Sequence, residues 1–183
     1  MSCLPGWKTQ GLPCPYGKLG PLEVTQPTGG NKIWVIGGYV FILSLGIIGL
    51  MLSQLVEKKI ALSSIAGACL IAQFIIVTVI KKSANQLRPV GSCALHCGFP
   101  SGHSSIVMCM LGLGITLLPY MENKVVGEAL VGLLAFFALW TMVSRIVVKD
   151  HSFVQVVVGG LIGSAVASAA YGATKIIPGL KKN

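Results

Sequence analysis

The sequence predicts an all-α fold: an integral membrane bundle of about five helices, with an extramembrane tail before it. Three observations lead there. Of 183 residues, 54% are hydrophobic and 10% charged, with mean hydropathy +0.80, which lies outside the usage of soluble domains. The apolar residues gather into five stretches separated by short polar or charged turns, and a spanning helix needs about 20 such residues to cross roughly 30 Å of hydrocarbon. Cations and histidines collect at the ends of these stretches rather than in their middles.

The elements follow in order. Residues 1–31, rich in Gly and Pro and without hydrophobic period, form a tail or cap outside the bilayer, and residues 32–183 form the membrane-embedded domain. Ile33 to Ser53 is the first span; its apolar run is too long, and begins too late, for a cleaved signal peptide. Ile60 to Ile80 is the second. Ser104 to Leu118 is short, so Ser101 to His103 are expected to supply its first turn, and Pro119 to close its far end. Val125 to Val148 and Phe153 to Ile177 complete the bundle. In the last helix, Gly159 and Gly163, with Gly160 and Ser164 one step round, form small-residue pairs four apart. Such pairs let neighbouring helices touch closely.

The charge balance, 14 Lys+Arg against 5 Asp+Glu for a net +9, suits the anionic headgroups of a bilayer. No basic run interleaved with aromatics points to nucleic acid. With five spans, the tail, the loop 81–103 and the turn 145–152 share one face. The opposite face carries Lys58, Lys59, Lys124, Lys175, Lys181 and Lys182, which leaves eight cations on the first. Once Lys81, Arg88 and Arg145 are set aside as functional, the remaining charges tilt that face out of the cytosol. Cys3, Cys14, Cys93 and Cys97 fall on it too, whereas Cys69 and Cys109 lie inside helices. Two disulfides, in any of three pairings, or four free thiols are the alternatives. Zinc held by Cys93, His96 and Cys97 lacks standard spacing and a fourth ligand.

Three motifs carry chemistry: Lys81 with Arg88-Pro89, Pro100-Ser101-Gly102-His103, and Ser144-Arg145 with His151. Fixed cations at membrane helix ends are expensive without an anionic partner. Phosphoryl transfer asks for this set: cations around the equatorial oxygens, a nucleophile and an acid for the leaving oxygen. Lys81, Arg88 and Arg145 supply the charge, and arginine's planar fork grips two phosphate oxygens together. The backbone N–H groups of Ser101 and Gly102 are expected at the anion-binding end of a helix. His103 and His151 are left for proton transfer and attack, roles that suit an imidazole near neutrality.

The spacing of these motifs, in this order and at these helix ends, resembles the type 2 phosphatidic acid phosphatase superfamily over Lys81 to His151 and the surrounding helices. That resemblance implies a metal-independent, cofactor-free membrane phosphatase acting on a lipid phosphate. His151 would form a phosphohistidine, and His103 would protonate the departing oxygen. Lys81, Arg88 and Arg145, with Ser101 and the Gly102 amide, would hold the phosphate. It further implies residence in a bacterial inner membrane or the endoplasmic reticulum.

Two departures stand out. Members commonly have six spans rather than five, and the family's carboxylate four residues after the nucleophile is here Gln155. A glutamine carbonyl can accept the imidazole Nδ1–H but brings no charge. The branch that looks like dolichyl diphosphate phosphatases tends to carry glutamine there, which leans the substrate toward a polyprenyl diphosphate. Phosphatidic acid, phosphatidylglycerophosphate or another lipid phosphate is the alternative, as is a lipid-binding protein impaired in catalysis. Asp150, beside His151, is expected to point away from it. Trp34, Tyr39 and Tyr120 are read as interfacial or packing aromatics.

Overall fold

The structure, a computed structural model, describes residues 16–19, 24–27, 36–37, 39–55, 59–84, 86–89, 92, 97–177 and 180. Among the described residues, five α-helices make the fold: α1 (Val40–Ser53), α2 (Lys59–Ala84), α3 (Gly102–Leu117), α4 (Lys124–Val147) and α5 (Phe153–Ile176). Four are long and apolar enough to cross a membrane, counting α3 with the 3₁₀ turn Leu118–Tyr120 that extends it. At 14 residues, α1 is shorter than the expected Ile33 to Ser53 span. Gly37 and Gly38 come just before its start, and glycine is costly inside a helix. In the tail, Tyr16–Leu19 (β1) and Val24–Pro27 (β2) pair as an antiparallel hairpin, Lys18 opposite Thr25, where no regular structure was expected. Tyr, Val and Thr favour such pairing.

Each helix boundary has a local cause. Ser101 caps α3, its hydroxyl accepting from the Ser104 N–H, so His103 falls in the first turn as expected. Asn123 caps α4 through the Val126 N–H at 3.1 Å. Ser152 and Gln155 form a reciprocal capping box on α5, which satisfies two otherwise orphaned donors. Between α4 and α5, Lys149 takes a left-handed φ of 57° and ends α4 within a few residues.

Helix α3 is the centre, packing on the other four. Its closest partner is α5, because Cβ atoms at Gly159 and Gly163 would strike the backbone of Ser101 and Ser105, and one at Gly112 would strike Ala167. The small-residue pairs therefore serve contact within the bundle. Met51, Leu62, Met110, Leu113, Leu117 and Leu134 fill the interior, while Ile71, Phe74, Phe136 and Leu161 face outward. An apolar exterior of this kind needs lipid around it. Cys69 and Cys109 are buried free thiols, 3.4 Å apart between α2 and α3.

Candidate active site

The alternation of the helices brings the C-terminal ends of α2 and α4 and the N-terminal ends of α1, α3 and α5 to one end of the bundle. Every sequence-predicted site residue lies there. Lys81 is in the last turn of α2, and its Nζ lies 3.9 Å from where a Gly102 side chain would begin. A cation at a helix N-terminus faces the positive end of the macrodipole. That pairing is unfavourable unless an anion sits between them.

Arg145, in the last turn of α4, is 0% exposed. Its NH1 donates to Asp150 Oδ2 at 2.9 Å and its Nε to Ser144 Oγ at 3.3 Å, whereas its buried NH2 has no hydrogen-bond partner among the described residues. Arg88 donates from NH1 to the Asp150 carbonyl at 2.9 Å and lies 4.0 Å from its carboxylate. Asp150 thus fixes both arginines. As expected it does not reach the His151 ring, but its hold on the arginines is a role the sequence reading missed. The signal was available, since this is the chain's only aspartate and it sits among the cations.

His151 is 2% exposed. Its backbone N–H donates to the Arg145 carbonyl at 3.1 Å, which sets the ring over the loop before α3. Nδ1 is 2.8 Å from the Gly98 carbonyl and 3.3 Å from Gln155 Oε1. Both of those oxygens only accept, so Nδ1 carries the proton and Nε2 keeps its lone pair. Nε2 faces Arg88 NH1 at 3.2 Å. Burial, foremost, and the nearby Arg88 and Lys81 charges hold the imidazole well below its usual range, against a smaller opposing effect of the Gly98 hydrogen bond. At neutral pH the ring is therefore an uncharged base with its lone pair turned into the cluster of cations.

Gln155 does more than accept from His151. Its Oε1 also takes the Ser152 N–H at 3.1 Å, and its Nε2 donates to the Leu87 carbonyl at 2.9 Å and to Gln86 Oε1 at 3.2 Å. These four partners fix which way the amide points. They also tie the segment carrying Arg88 to the start of α5. Gly98 is required at this junction: a Cβ there would lie 2.7 Å from Gln155 Nε2 and 2.9 Å from Arg88 Cγ.

The Ser101 N–H, expected to face an anion, instead donates to the Gln155 carbonyl at 2.9 Å. The Ser101 hydroxyl accepts from Ser104 Oγ at 2.9 Å, which leaves its own proton as the donor it can offer. His103 is half-buried and makes no hydrogen bond among the described residues. Its ring instead meets Phe41 of α1 edge-on, with centroids 5.8 Å apart. Gly98 and Phe41 had no sequence signal, because each acts through proximity to residues distant in the chain.

Among the described residues no group of His, Cys, Asp or Glu could hold a metal ion. Cys97 is disulfide-bonded, which removes it as a zinc ligand; Cys3, Cys14, Cys93 and His96 lie outside the described residues.

Comparison with known proteins bears on this geometry. Residues 62–176 match the family model described as the PAP2 superfamily. No curated protein matches. Among solved structures, the chain is similar to the first transmembrane PAP2-type phosphatidylglycerolphosphate phosphatase from Bacillus subtilis. The TM-score is 0.60 and the identity 18%, over 80% of this chain and 76% of that one.

Proposed function

Since the chain belongs to the PAP2 superfamily, we propose that it is a membrane lipid phosphatase working through a phosphohistidine on His151. The observation that carries this reading is the orientation of His151: proton on Nδ1, lone pair on Nε2, and Arg88 at 3.2 Å from that lone pair. A phosphate drawn in by Lys81, Arg88 and Arg145 would take the Arg88 donor for itself and put phosphorus in front of Nε2. The unpartnered Arg145 NH2 is a second donor for its oxygens, and the Ser101 hydroxyl and Gly102 amide complete the cradle.

The chemistry closes on these residues. Nε2 attacks phosphorus, the P–O bond to the lipid breaks, and His103 gives its proton to the departing oxygen. As the P–N bond forms, the imidazole becomes positive, and Gly98 and Gln155 keep its Nδ1–H engaged. Water, losing a proton to His103, then attacks phosphorus and breaks the P–N bond. Lipid alcohol, or lipid monophosphate from a diphosphate, and inorganic phosphate are the products, and both histidines return to their starting state.

A polyprenyl diphosphate is the substrate favoured here, on the strength of Gln155 at the position where the wider family carries a carboxylate. Purified protein in detergent with a chelator should release phosphate from such a diphosphate, and His151→Ala should abolish release. Faster turnover of phosphatidic acid or phosphatidylglycerophosphate in the same panel would move the assignment to those lipids. No release from any of them would sink the phosphatase reading in favour of lipid binding alone.

A further inference from the structure

We infer that Phe41 is a positioning residue for His103, holding the proton donor's ring in line with the leaving oxygen; this rests on the phosphatase reading above. The two imidazoles of the site are held in contrasting ways. Hydrogen bonds donated by Nδ1–H to the Gly98 carbonyl and Gln155 Oε1 fix the His151 ring, with Arg88 on the other nitrogen. His103 has no such partner among the described residues. A ring free to turn about its side-chain bonds would spend little time with its N–H aimed at one oxygen, and misplacing a catalytic group is costly to rate.

What His103 does have is an aromatic wall. The Phe41 ring stands at 73° to the imidazole with centroids 5.8 Å apart, an edge-to-face arrangement that favours one relative orientation of the two rings. Phe41 is the second residue of α1, and α1 packs along α3, which carries His103. The contact therefore crosses between helices and is set by their packing. Phe41 also lies outside the residues 62–176 that match the family model.

The test uses leaving groups. In the first step His103 delivers a proton to the oxygen as the P–O bond breaks. An alkoxide needs that proton, whereas p-nitrophenolate departs without it. A long-chain alkyl monophosphate and p-nitrophenyl phosphate are therefore compared in detergent with chelator, reading kcat/KM. Phe41→Leu is expected to lower kcat/KM for the alkyl phosphate about tenfold, a fraction of what proton transfer contributes in full, and to leave p-nitrophenyl phosphate within about twofold. Phe41→Trp should restore the alkyl phosphate. Adding Phe41→Leu to His103→Ala should cost nothing more, since the group being positioned is gone.

Equal loss on both substrates, or a further loss in the His103→Ala background, would show that Phe41 only supports the fold and would overturn the inference. Failure of the underlying reading looks different. A parent protein that hydrolyses neither compound removes the phosphatase assignment and this inference with it. A parent active on both, and silenced by His151→Ala, leaves the phosphatase assignment standing whatever Phe41 does.

Discussion

Gln155 stands where a carboxylate would press on the His151 Nδ1–H, and its hydrogen bonds explain why an amide serves this site. Its NH₂ donates to two oxygens, the Leu87 carbonyl and Gln86 Oε1. A carboxylate would face both as a repelling acceptor, and the Leu87 carbonyl would lose its donor. Gln155→Asp is therefore expected to lower kcat/KM by about 10–100-fold, as removing a second-layer partner commonly does. Turnover at or above the parent's would show that only the acceptor oxygen matters. His151 gives a pH signature of its own. Its folded-state imidazole titrates below the ordinary value, mainly through burial, so in acid the unfolded chain binds a proton that the folded chain refuses. Stability from this group is present above about pH 6.5 and is lost as pH falls below it. Thermal melts in detergent should show Tm declining from pH 7 toward pH 5, with a shallower decline in His151→Gln. An unchanged slope in that variant would place the acid sensitivity elsewhere.

Between elements, the contact of α3 with α5 decides whether a site forms at all. Ser101 on one and Gln155 on the other are joined by a backbone hydrogen bond, and Gly159 and Gly163 let the two backbones approach. A methyl at Gly163 would run into the Ser105 carbonyl and lie 2.9 Å from the Cys109 N–H. Gly163→Ala should cost about 1–3 kcal/mol or more through overpacking and lower activity along with Tm. Gly132→Ala is the matching control: nothing lies within 4 Å of its added Cβ, and alanine is the better helix former by about 1 kcal/mol. Equal effects from the two would mean that helix propensity, not close approach, governs. At the same scale the sequence showed helix positions well and helix lengths less well. The capping Ser101, Asn123 and Ser152 mark boundaries through local chemistry. The late start of α1 follows from a glycine pair set inside an otherwise unbroken apolar run.

For the whole molecule, the apolar exterior and four long helices make this an integral membrane protein with its candidate site at one end. We expect that end to face away from the cytosol. Exposed Lys82 lies at the site end, and exposed Lys124 begins α4 at the opposite end. A membrane-impermeant maleimide should label Lys82→Cys in intact cells and Lys124→Cys only after permeabilisation, with the buried Cys69 and Cys109 silent in both. The reverse pattern would invert the orientation. The disulfide at Cys97 fits an oxidising surroundings on the site side.

The sequence alone determined the bundle and the end on which the candidate site residues, three cations and two histidines, gather. Each of these is written in short-range terms: apolar run length, position at a helix end, spacing within a motif. Tertiary structure decided how those groups are held. The tautomer of His151 depends on a carbonyl 53 positions away in the chain, at Gly98; the direction of the Gln155 amide depends on Leu87, 68 positions away; and the wall beside His103 comes from a different helix. Asp150 shows the division most plainly. Its place next to His151 could be read from the chain, but its grip on Arg145 and Arg88 follows only once the left-handed turn at Lys149 folds the carboxylate back onto α4.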